Sequence, residues 1–406
     1  MPMRATLSLS QAKKRAGYVF GPLLLILTFL FPLCFLLWYT NVALEGSLES
    51  FYAQMQHLLS LWTTCRPCLL GTLSSWTIFL LFTAAALSLF KIIPGRKASR
   101  QGVTNFKMNG LFVMLVMLSL YSVLSYGLGL FSPTILYDEF GALLGSLNLF
   151  ALCFWPLSYM RTKRTHFSLF AVCRCAMVGW ALLLLSFAAK QHATAGLSNA
   201  LGLCVLLQWI FIAKFFWWEM GYLSAVEITY DSQGFFLYWG AIVWIPAIYT
   251  SPALYLVHHP RHLSPSLLLL FFIGGAASIF VNFLVDRQRH YVRSRNGDCL
   301  IWRKKPELIF ANYQTEWGEE RQNVLLASGW WGLSRHFHYI PEFLGAFFWS
   351  APALFAHFLP YFYLFFLSLL LIDRAYRHEK RCAMKYGKDW QKYCERVPFR
   401  IIPFIY

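Results

Sequence analysis

The sequence predicts an all-α polytopic membrane protein. Of its 406 residues, 58% are hydrophobic and only 13% are charged, and the mean hydropathy is +0.50. A soluble domain of this length needs less apolar surface, whereas each membrane-spanning helix requires about 20 predominantly apolar residues. A transmembrane barrel would show short segments in which apolar and polar residues alternate, and that pattern is absent from the sequence. We therefore interpret residues 1–406 as one membrane-embedded domain.

Ten apolar segments define the predicted membrane-spanning helices. The first is too long and too uninterrupted for a signal peptide, and the last two are short and meet in a turn, which predicts a re-entering hairpin. The segments are 18–40, 67–92, 109–131, 136–159, 168–190, 197–218, 233–258, 264–285, 342–358 and 360–374. The first eight spans thus occupy residues 18–285. Residues 286–406 form a C-terminal region, in which 299–314 are predicted to include short extended structure.

The distribution of positive charge predicts the orientation. The net charge of +17 would by itself permit nucleic-acid binding. However, Lys and Arg are concentrated in alternate connecting segments, and an excess of these residues is typical of cytoplasmic segments. Both termini are therefore predicted to be cytoplasmic, and no nucleic-acid partner is expected. Five Lys and Arg residues are predicted to lie outside the cytoplasmic segments: Arg66, Lys190 and Arg261 on the opposite side of the membrane, and Arg174 and Lys214 within spans.

The ten cysteines do not predict a metal site. Cys65 and Cys68 form an isolated CxxC pair, and Cys173 and Cys175 form a CxC pair. Neither pair has a second pair of ligands or nearby histidines, so zinc binding is not expected. Free thiols that pack as small hydrophobic side chains are the simpler interpretation.

Two arginines on a predicted helical extension of the eighth span are candidate phosphate ligands. Arg289 and Arg293 are four residues apart, so they share a helix face. Guanidinium groups that point the same way can hold a phosphate through paired hydrogen bonds. Contact with lipid headgroups is the alternative, and these two residues alone favour it. The chain has no Rossmann glycine motif or P-loop, so a dinucleotide would bind without the standard glycine-rich loop.

Aromatic and polar residues flank the predicted hairpin on both sides. Trp330 and Trp331 lie between two glycines where the chain returns to the membrane, and one indole could stack on a nicotinamide or an adenine. His378, Cys382 and Lys385 follow the hairpin at helical spacing and form one stripe. The alternatives are interfacial anchoring by the tryptophans and a juxtamembrane amphipathic helix whose lysines extend to the headgroups.

Acidic residues between the sixth and seventh spans are candidate proton donors. Glu219, Glu227 and Asp231 lie in a segment that contains no Lys or Arg. A carboxyl group near the bilayer is costly to ionise, so it can remain protonated and act as an acid. An exposed acidic loop is the alternative, and it suits Glu227 better than Glu219. Tyr249 in the seventh span is a further candidate, although most buried tyrosines are core residues with a hydrogen-bonded hydroxyl.

Ordered sequence blocks beyond about residue 100 resemble a known family. They are NFKMNGL (105–111), LFSPTILYD (130–138), LSFAAKQ (185–191), FFWWEMGYL (215–223), YTSPALYLVHHP (249–260), NGDCLIW (296–302), SGWWG (328–332), LPYFY (359–363) and RCAMKYGKDWQKY (381–393). Together these blocks resemble the membrane-embedded sterol reductases of the C14/C7 group. SFAAKQ, YLVHHP, CLIW and LPYFY are most similar to its 7-dehydrocholesterol reductase branch.

The resemblance implies a ten-helix fold whose C-terminal half encloses an NADPH pocket open to the cytoplasm. A second pocket, reached from the bilayer, would take the sterol. The implied reaction is reduction of a sterol ring double bond, with the Δ7 bond of 7-dehydrocholesterol-type sterols as the expected target and Δ14 or side-chain Δ24 reduction as alternatives. One alkene carbon would be protonated and the other would receive a hydride, with Glu219, Asp231 or Tyr249 as the acid. The host membrane would be the endoplasmic reticulum in a eukaryote or the inner membrane in a bacterium.

The resemblance also implies which residues contact the cofactor. Arg289 and Arg293 would face the phosphates. The family's usual Asn is His338 here and its usual Asp is His378, which would alter contacts to ribose or adenine. Residues 161–176 form a shorter loop than the family normally has. The other implied contacts are Leu326, Trp331, Tyr339, Cys382, Ala383, Met384, Lys385, Tyr386 and Tyr393.

Two rival functions fit parts of the sequence. A membrane methyltransferase that uses S-adenosylmethionine would also present an Arg-His, Tyr and Glu cluster, but S-adenosylmethionine has no phosphate for the two arginines to hold. That cluster would be Arg335, His336, Tyr339 and Glu342. The non-enzymatic rival is a sterol-binding scaffold like lamin B receptor or a catalytically inactive reductase fold. The scaffold role normally depends on a long N-terminal extension, and only about seventeen residues precede the first predicted span.

Overall fold

The computed structural model describes residues 23–47, 49–50, 68–100, 103–159, 170–223, 238–314 and 318–406. Within these residues, eight helices are long and apolar enough to cross a membrane, and a shorter apolar helix covers Phe140–Cys153. Strands form only two-stranded antiparallel sheets in this part of the chain. The prediction of an all-α, multi-pass membrane protein is therefore confirmed.

The helices follow the predicted spans closely, and four of them continue from or into wider π-helical turns, at Ile26–Leu30, Val123–Gly127, Ala171–Ala176 and Gly240–Tyr249. The strands are β1 (Arg96–Arg100), β2 (Val103–Met108), β3 (Leu308–Gln314) and β4 (Glu320–Leu326). The α-helices are α1 (Phe31–Val42), α2 (Leu73–Ile92), α3 (Gly110–Ser122), α4 (Ile135–Asp138), α5 (Phe140–Tyr159), α6 (Met177–Ala195), α7 (Asn199–Trp217), α8 (Glu219–Leu223), α9 (Ser251–His258), α10 (Pro265–Ser294), α11 (Trp330–Leu333), α12 (Tyr339–Ser350), α13 (Phe362–Tyr386) and α14 (Lys388–Arg396).

Two helices continue beyond their predicted membrane spans, as the predicted helical extensions require. Helix α10 extends to Ser294, past the span end at residue 285, and therefore carries both Arg289 and Arg293; α13 extends to Tyr386, past the span end at residue 374. Polar residues mark the membrane boundary but do not interrupt helical hydrogen bonding, so both helices continue beyond it. Helix α13 ends at Gly387, whose φ of +51° is a conformation that other residues rarely adopt.

The chain divides into two compact units. The N-terminal unit contains Met1–Gly196 and Thr229–His259, and the C-terminal unit contains Leu197–Ile228 and Pro260–Tyr406. The predicted single domain is not tested by this division, since both units belong to one membrane-embedded chain.

Buried polar contacts organise the N-terminal unit. The guanidinium of Arg174, which is fully buried, donates to Lys107 O at 2.9 Å and to Asn109 Oδ1 at 3.0 Å. It also lies about 5 Å from the centroids of the Phe90 and Phe106 rings. The base of the β1–β2 hairpin is thus fixed against the helices by a buried cation whose hydrogen bonds offset the cost of removing it from water.

Three of the sequence blocks quoted above for their resemblance to a known family meet in the N-terminal unit. Lys190 Nζ lies 2.7 Å from Asp138 Oδ1, and Gln191 Nε2 donates to Leu256 O at 2.6 Å. Tyr137 Oη lies 2.5 Å from His258 Nε2. The blocks LFSPTILYD, LSFAAKQ and YLVHHP therefore form one polar cluster.

The C-terminal unit is built around α10. Ser264 caps this helix by accepting a hydrogen bond from Leu267 N, and Pro265 occupies its first turn, where a missing N–H costs nothing. Helices α7 and α12 pack along its membrane part. Beyond it, the β3–β4 hairpin pairs Leu308 with Leu326 and Gln314 with Glu320, so the predicted extended structure is present.

An apolar cluster holds the β3–β4 hairpin against the end of the chain. Tyr386 from α13 and Trp390 and Tyr393 from α14 pack on Ala311 and Leu325 of the hairpin. Tyr393 Oη also donates to Trp331 O at 3.4 Å, so this cluster contacts the segment that carries Trp331.

Candidate functional site

A polar cavity of about 210 Å³ lies within the C-terminal unit. One of its walls is formed by Phe211, Lys214 and Phe215 of α7 and by Trp218, the residue that follows the helix. Lys214 and Phe215 lie three and four residues after Phe211, so these three side chains share one side of α7. Tyr222 of α8 extends the same wall. This side of the cavity is aromatic except for a single cation.

The remaining walls are mostly polar. Helix α10, the segment around α11, and helices α12 and α13 contribute charged side chains, imidazoles and one indole. Those on α10 are Asn282, Asp286 and Arg289; those on the segment 331–342 are Trp331, His336, His338, Tyr339 and Glu342; those on α13 are Arg374 and His378.

Arg289 stacks on Trp331, one of the two indoles predicted to contact a cofactor. Its guanidinium carbon lies 4.1 Å from the Trp331 ring centroid, and one of its Nη atoms lies 3.4 Å from Asp286 Oδ1. Trp331 is itself fixed, because its Nε1 donates to Val285 O at 3.0 Å. A stacked, partly exposed guanidinium at the cavity edge is suited to bind an anionic group.

Arg293 differs from Arg289 although both lie on α10. Its Nε donates to Val324 O of β4 at 3.1 Å, and it does not line the cavity. The structure therefore places Arg289 at the cavity and Arg293 against the hairpin. Phosphate contact by either arginine stays a prediction.

Histidines cluster at the inner end of the cavity. The His336 ring is parallel to the Tyr339 ring, with centroids 5.3 Å apart, and its centroid is 5.2 Å from that of His378. His336 Nε2 and His338 Nδ1 are buried and have no hydrogen-bond partner within the described part of the chain. Because buried polar atoms are normally paired, these two mark where a polar ligand would bind.

Burial keeps two of these imidazoles neutral. It lowers the pKa of His336 to about 3, and the nearby His378 and Arg335 add to this shift. Burial also lowers the pKa of His338 well below its usual value, with Arg289 as the next contribution. Each neutral ring carries one donor and one acceptor nitrogen. Among the described residues, no group of His, Cys, Asp and Glu side chains has the spacing of a metal site.

An ion-pair network fixes the backbone that carries His336. Arg335 Nε lies 2.7 Å from Glu379 Oε1, and Arg400 Nε lies 2.8 Å from Glu379 Oε2. Arg335 Nη1 also donates to Val397 O and Pro398 O. Arg335 therefore binds Glu379 and the C-terminal segment. The methyltransferase alternative would instead require Arg335 to contact the cofactor.

The C-terminal segment runs beside the residues that precede the histidines. Arg335 N donates to Phe399 O, His336 N donates to Arg400 O at 2.7 Å, and Ser334 Oγ donates to Ile401 O at 2.6 Å. The position of His336 in the cavity therefore depends on a segment more than sixty residues later in the chain.

The structure brings together part of the predicted cofactor set. Arg289, Trp331, His338, Tyr339 and His378 all line the cavity. The others lie in the apolar packing around the β3–β4 hairpin or along the outer part of α13. Leu326, Tyr386 and Tyr393 are buried in the packing around the hairpin, and Cys382 packs at the edge of the apolar cluster. Lys385 Nζ is 3.8 Å from the Tyr313 ring centroid. Ala383 and Met384 are exposed. Their contact with a cofactor stays a prediction.

Neither Glu219 nor Tyr249, the two predicted proton donors that the structure describes, lines this cavity. Glu219 is buried at the start of α8, next to Trp218, but does not itself line the cavity. Tyr249 belongs to the N-terminal unit and packs edge-on against Trp180, with ring centroids 5.4 Å apart. Asp231 lies outside the described residues, as does most of the loop 161–176.

Several cavity residues were not predicted from the sequence. Lys214, Asn282, Asp286 and Arg374 line the cavity, yet none of them was a predicted site residue. For Lys214 a signal was present, because an ionisable residue inside a membrane span is costly and usually functional. Asp286 and Asn282 lie one and two helical turns before Arg289, respectively, and resemble ordinary interfacial residues.

A second, larger cavity of about 690 Å³ lies within the N-terminal unit. Its lining is almost entirely apolar and includes Phe79, Phe82, Met117, Leu143 and Leu183. Of the predicted cofactor and proton-donor residues that the structure describes, none lines it.

Comparison with known proteins identifies relatives over almost the whole chain. The model of the "Ergosterol biosynthesis ERG4/ERG24 family" matches residues 161–406. A 7-dehydrocholesterol reductase of Arabidopsis thaliana is 38% identical over 95% of this chain and 98% of its own length. A 7-dehydrocholesterol reductase of Xenopus laevis is 32% identical over 90% of this chain and 86% of its own length. A Delta(14)-sterol reductase of Methylotuvimicrobium alcaliphilum is 29% identical over 99% of both chains.

Proposed function

Because this chain belongs to the ergosterol biosynthesis ERG4/ERG24 family of sterol reductases, we propose that it reduces the Δ7 double bond of 7-dehydrocholesterol-type sterols with NADPH. The coarser activity, reduction of a carbon–carbon double bond in a sterol by a membrane protein, follows from the family. The choice of the Δ7 bond is supported by the two 7-dehydrocholesterol reductases, at 38% and 32% identity. The bacterial Delta(14)-sterol reductase, at 29% identity over 99% of the chain, makes Δ14 reduction the second candidate.

The polar cavity has groups that fit one end of a reduced dinucleotide. Arg289 and Arg374 are cations that could bind the phosphates. The indole ring of Trp331, on which Arg289 stacks, offers an aromatic surface to a ring of the cofactor. His336 Nε2 and His338 Nδ1, which have no hydrogen-bond partner among the described residues, offer hydrogen bonds to polar atoms of a ligand. The volume of about 210 Å³ is below the roughly 300–1,000 Å³ of sites for drug-sized ligands, so the cavity would hold only part of the cofactor. When bound, NADPH would supply the hydride.

The reacting part of the sterol would enter the same cavity. Hydride transfer requires the reacting atoms to be roughly 3–3.5 Å apart, so the double bond has to lie beside the cofactor. The aromatic wall formed by Phe211 and Phe215 of α7 and by Trp218 after it is an apolar surface available to a ring system there. The larger apolar cavity of the N-terminal unit carries none of the candidate cofactor residues, so it is not the reaction site in this proposal.

The chain's residues would act mainly by stabilising positive charge and excluding water. An isolated or conjugated alkene accepts a hydride poorly, so protonation of one carbon has to create cationic character at the other. The ring faces of Phe211, Phe215 and Trp218 can stabilise such a cation. The neutral state of His336 and His338 avoids further positive charge at the inner end of the cavity.

The test uses purified protein with NADPH and a panel of Δ7, Δ14 and Δ24 sterols, and identifies the products by mass spectrometry. We expect loss of the Δ7 bond, with one deuterium incorporated from D₂O and a second, at the neighbouring carbon, from 4-deuterated NADPH. Turnover of the Δ14 sterol alone would replace the Δ7 assignment by the second candidate. Turnover of no sterol under conditions that stabilise the folded protein would overturn the proposal.

A further inference from the structure

The aromatic wall of the polar cavity contains one cation, Lys214. It lies on α7 on the same side as Phe211 and Phe215, and Trp218 follows at the end of the helix. This helix is long and apolar enough to span the membrane. Its Nζ atom lies 4.9 Å from the Phe211 ring centroid. An ammonium group in such a position is costly and is usually retained for function.

Hydrogen bonds orient the side-chain nitrogen of Lys214. Nζ donates to Asn282 Oδ1 at 2.7 Å, and Asn282 Nδ2 donates to His338 O at 3.0 Å. The second bond fixes the Asn282 amide so that its oxygen faces the lysine. Within the described part of the chain, no carboxylate forms an ion pair with Nζ. An ammonium has three N–H donors, so two remain for a ligand.

We propose that Lys214 is the acid that protonates the sterol double bond, an inference that rests on the proposed function. In this step the Nζ–H bond breaks and a C–H bond forms at one alkene carbon, which leaves a neutral amine and a cation at the neighbouring carbon. That carbon then accepts a hydride from the reduced dinucleotide, which is thereby oxidised. A proton from water restores the ammonium group after the product leaves.

Charge balance favours an ammonium over a carboxylic acid in this cavity. Proton transfer from Lys214 moves one positive charge from nitrogen to carbon and creates no new ion. A carboxylic acid such as Glu219 would instead leave a carboxylate and a cation, and both would require stabilisation in a site of low dielectric constant. The ring faces beside Lys214 stabilise the positive charge at either end of the transfer.

The position of Lys214 also distinguishes it from a phosphate ligand. Arg289 and Arg374 lie on α10 and α13, among the polar walls. Lys214 lies on α7 among the aromatic rings, where the apolar sterol would pack. The ammonium group of Lys214 would therefore lie next to the sterol rather than next to the cofactor phosphates.

The experiment compares Lys214→Met and Lys214→Arg with the wild type. Methionine keeps the length of the side chain but has no proton to donate, and arginine keeps the charge but holds its proton too firmly to act as an acid. We expect both variants to reduce sterol turnover at least about 100-fold, the usual contribution of a general acid. We expect NADPH to raise the melting temperature of both variants as it does that of the wild type. Lys190→Met, which removes a lysine paired with Asp138 in the N-terminal unit, is the matched control and should retain turnover within about threefold.

Each other outcome overturns the assignment in a distinct way. Near-wild-type turnover of Lys214→Arg with loss in Lys214→Met would show that charge alone is needed. Loss of the NADPH effect on melting would assign Lys214 to cofactor binding. Turnover by both variants would remove the residue from the reaction. Absence of sterol turnover in the wild type would overturn the proposed function, and the role of Lys214 with it.

Discussion

At the scale of single residues, Arg289 is the side chain best placed to attract an anionic cofactor. We expect Arg289→Ala to weaken NADPH binding by roughly 10- to 100-fold, because a hydrogen bond to a charged group contributes about 1.5–3 kcal/mol. The KM for NADPH should rise and kcat should change less. Arg287, on the same helix, is exposed and does not line the cavity, so Arg287→Ala is the control. Equal effects of the two substitutions would argue against a phosphate role for Arg289.

The buried histidine His336 makes stability depend on pH. Its pKa is lowered from 6.5 to about 3 in the folded protein, so the unfolded chain binds the proton first as the pH falls. Its contribution is therefore fully present above pH 6.5 and is lost between pH 6.5 and about 3, by about 1.4 kcal/mol per pH unit.

The thermal stability of His336→Gln, measured from pH 7 to pH 4.5, should consequently fall less steeply than that of the wild type. The exposed His262 offers a control, because His262→Gln should leave the wild-type slope unchanged. Parallel curves for the wild type and His336→Gln would contradict the neutral imidazole in the cavity.

The residue types at the site were predictable from the sequence, but their convergence was not. Trp331, His338, Tyr339 and His378 were predicted because their blocks resemble the family, and all four line the cavity. Lys214 stood out in the sequence only as a charge within a span. Its significance depends on Asn282, which lies 68 residues away in sequence, and no local pattern predicts that contact.

At the scale of secondary-structure elements, the turn between α13 and α14 depends on one glycine. Gly387 has φ +51° and ψ −120°, a combination that side chains with a Cβ disfavour. We expect Gly387→Ala to lower the free energy of unfolding by about 1–3 kcal/mol, seen as a lower melting temperature. Gly202 is helical and has no neighbouring atom within 4 Å of the point where an alanine Cβ would lie, so Gly202→Ala should be neutral or stabilising. Similar melting of both variants would contradict the role of the turn.

Hydropathy located the helices better than it located their ends. The apolar segments predicted by residue composition correspond to α1, α2, α3, α6, α7, α10 and α13, because spanning a bilayer imposes a length and a composition. The ends of α10 and α13 lie beyond the apolar part, where capping and packing rather than hydropathy decide. The pairing of β3 with β4 was not predicted, since cross-strand register depends on contacts between segments.

At the scale of the whole molecule, ligand binding separates the reductase from the methyltransferase alternative. A ligand that binds only the folded state raises its stability, by about 2.7 kcal/mol at 100 times its Kd. We expect NADPH to raise the melting temperature of the purified protein and S-adenosylmethionine to leave it unchanged. Inorganic phosphate at the same ionic strength controls for general salt effects. Stabilisation by S-adenosylmethionine alone would favour the rival function.

The backbone pairing of Ser334, Arg335 and His336 with residues 399–401 has a practical consequence for anyone handling this protein. A fusion partner or purification tag joined rigidly after Tyr406 pulls on the very segment that seats His336. Loss of the final eight residues, as from a late frameshift, removes the acceptors that hold this histidine in place. Reporter fusions are therefore better attached through a flexible linker, and a late truncation is expected to disturb the wall of the polar cavity rather than only to shorten the chain.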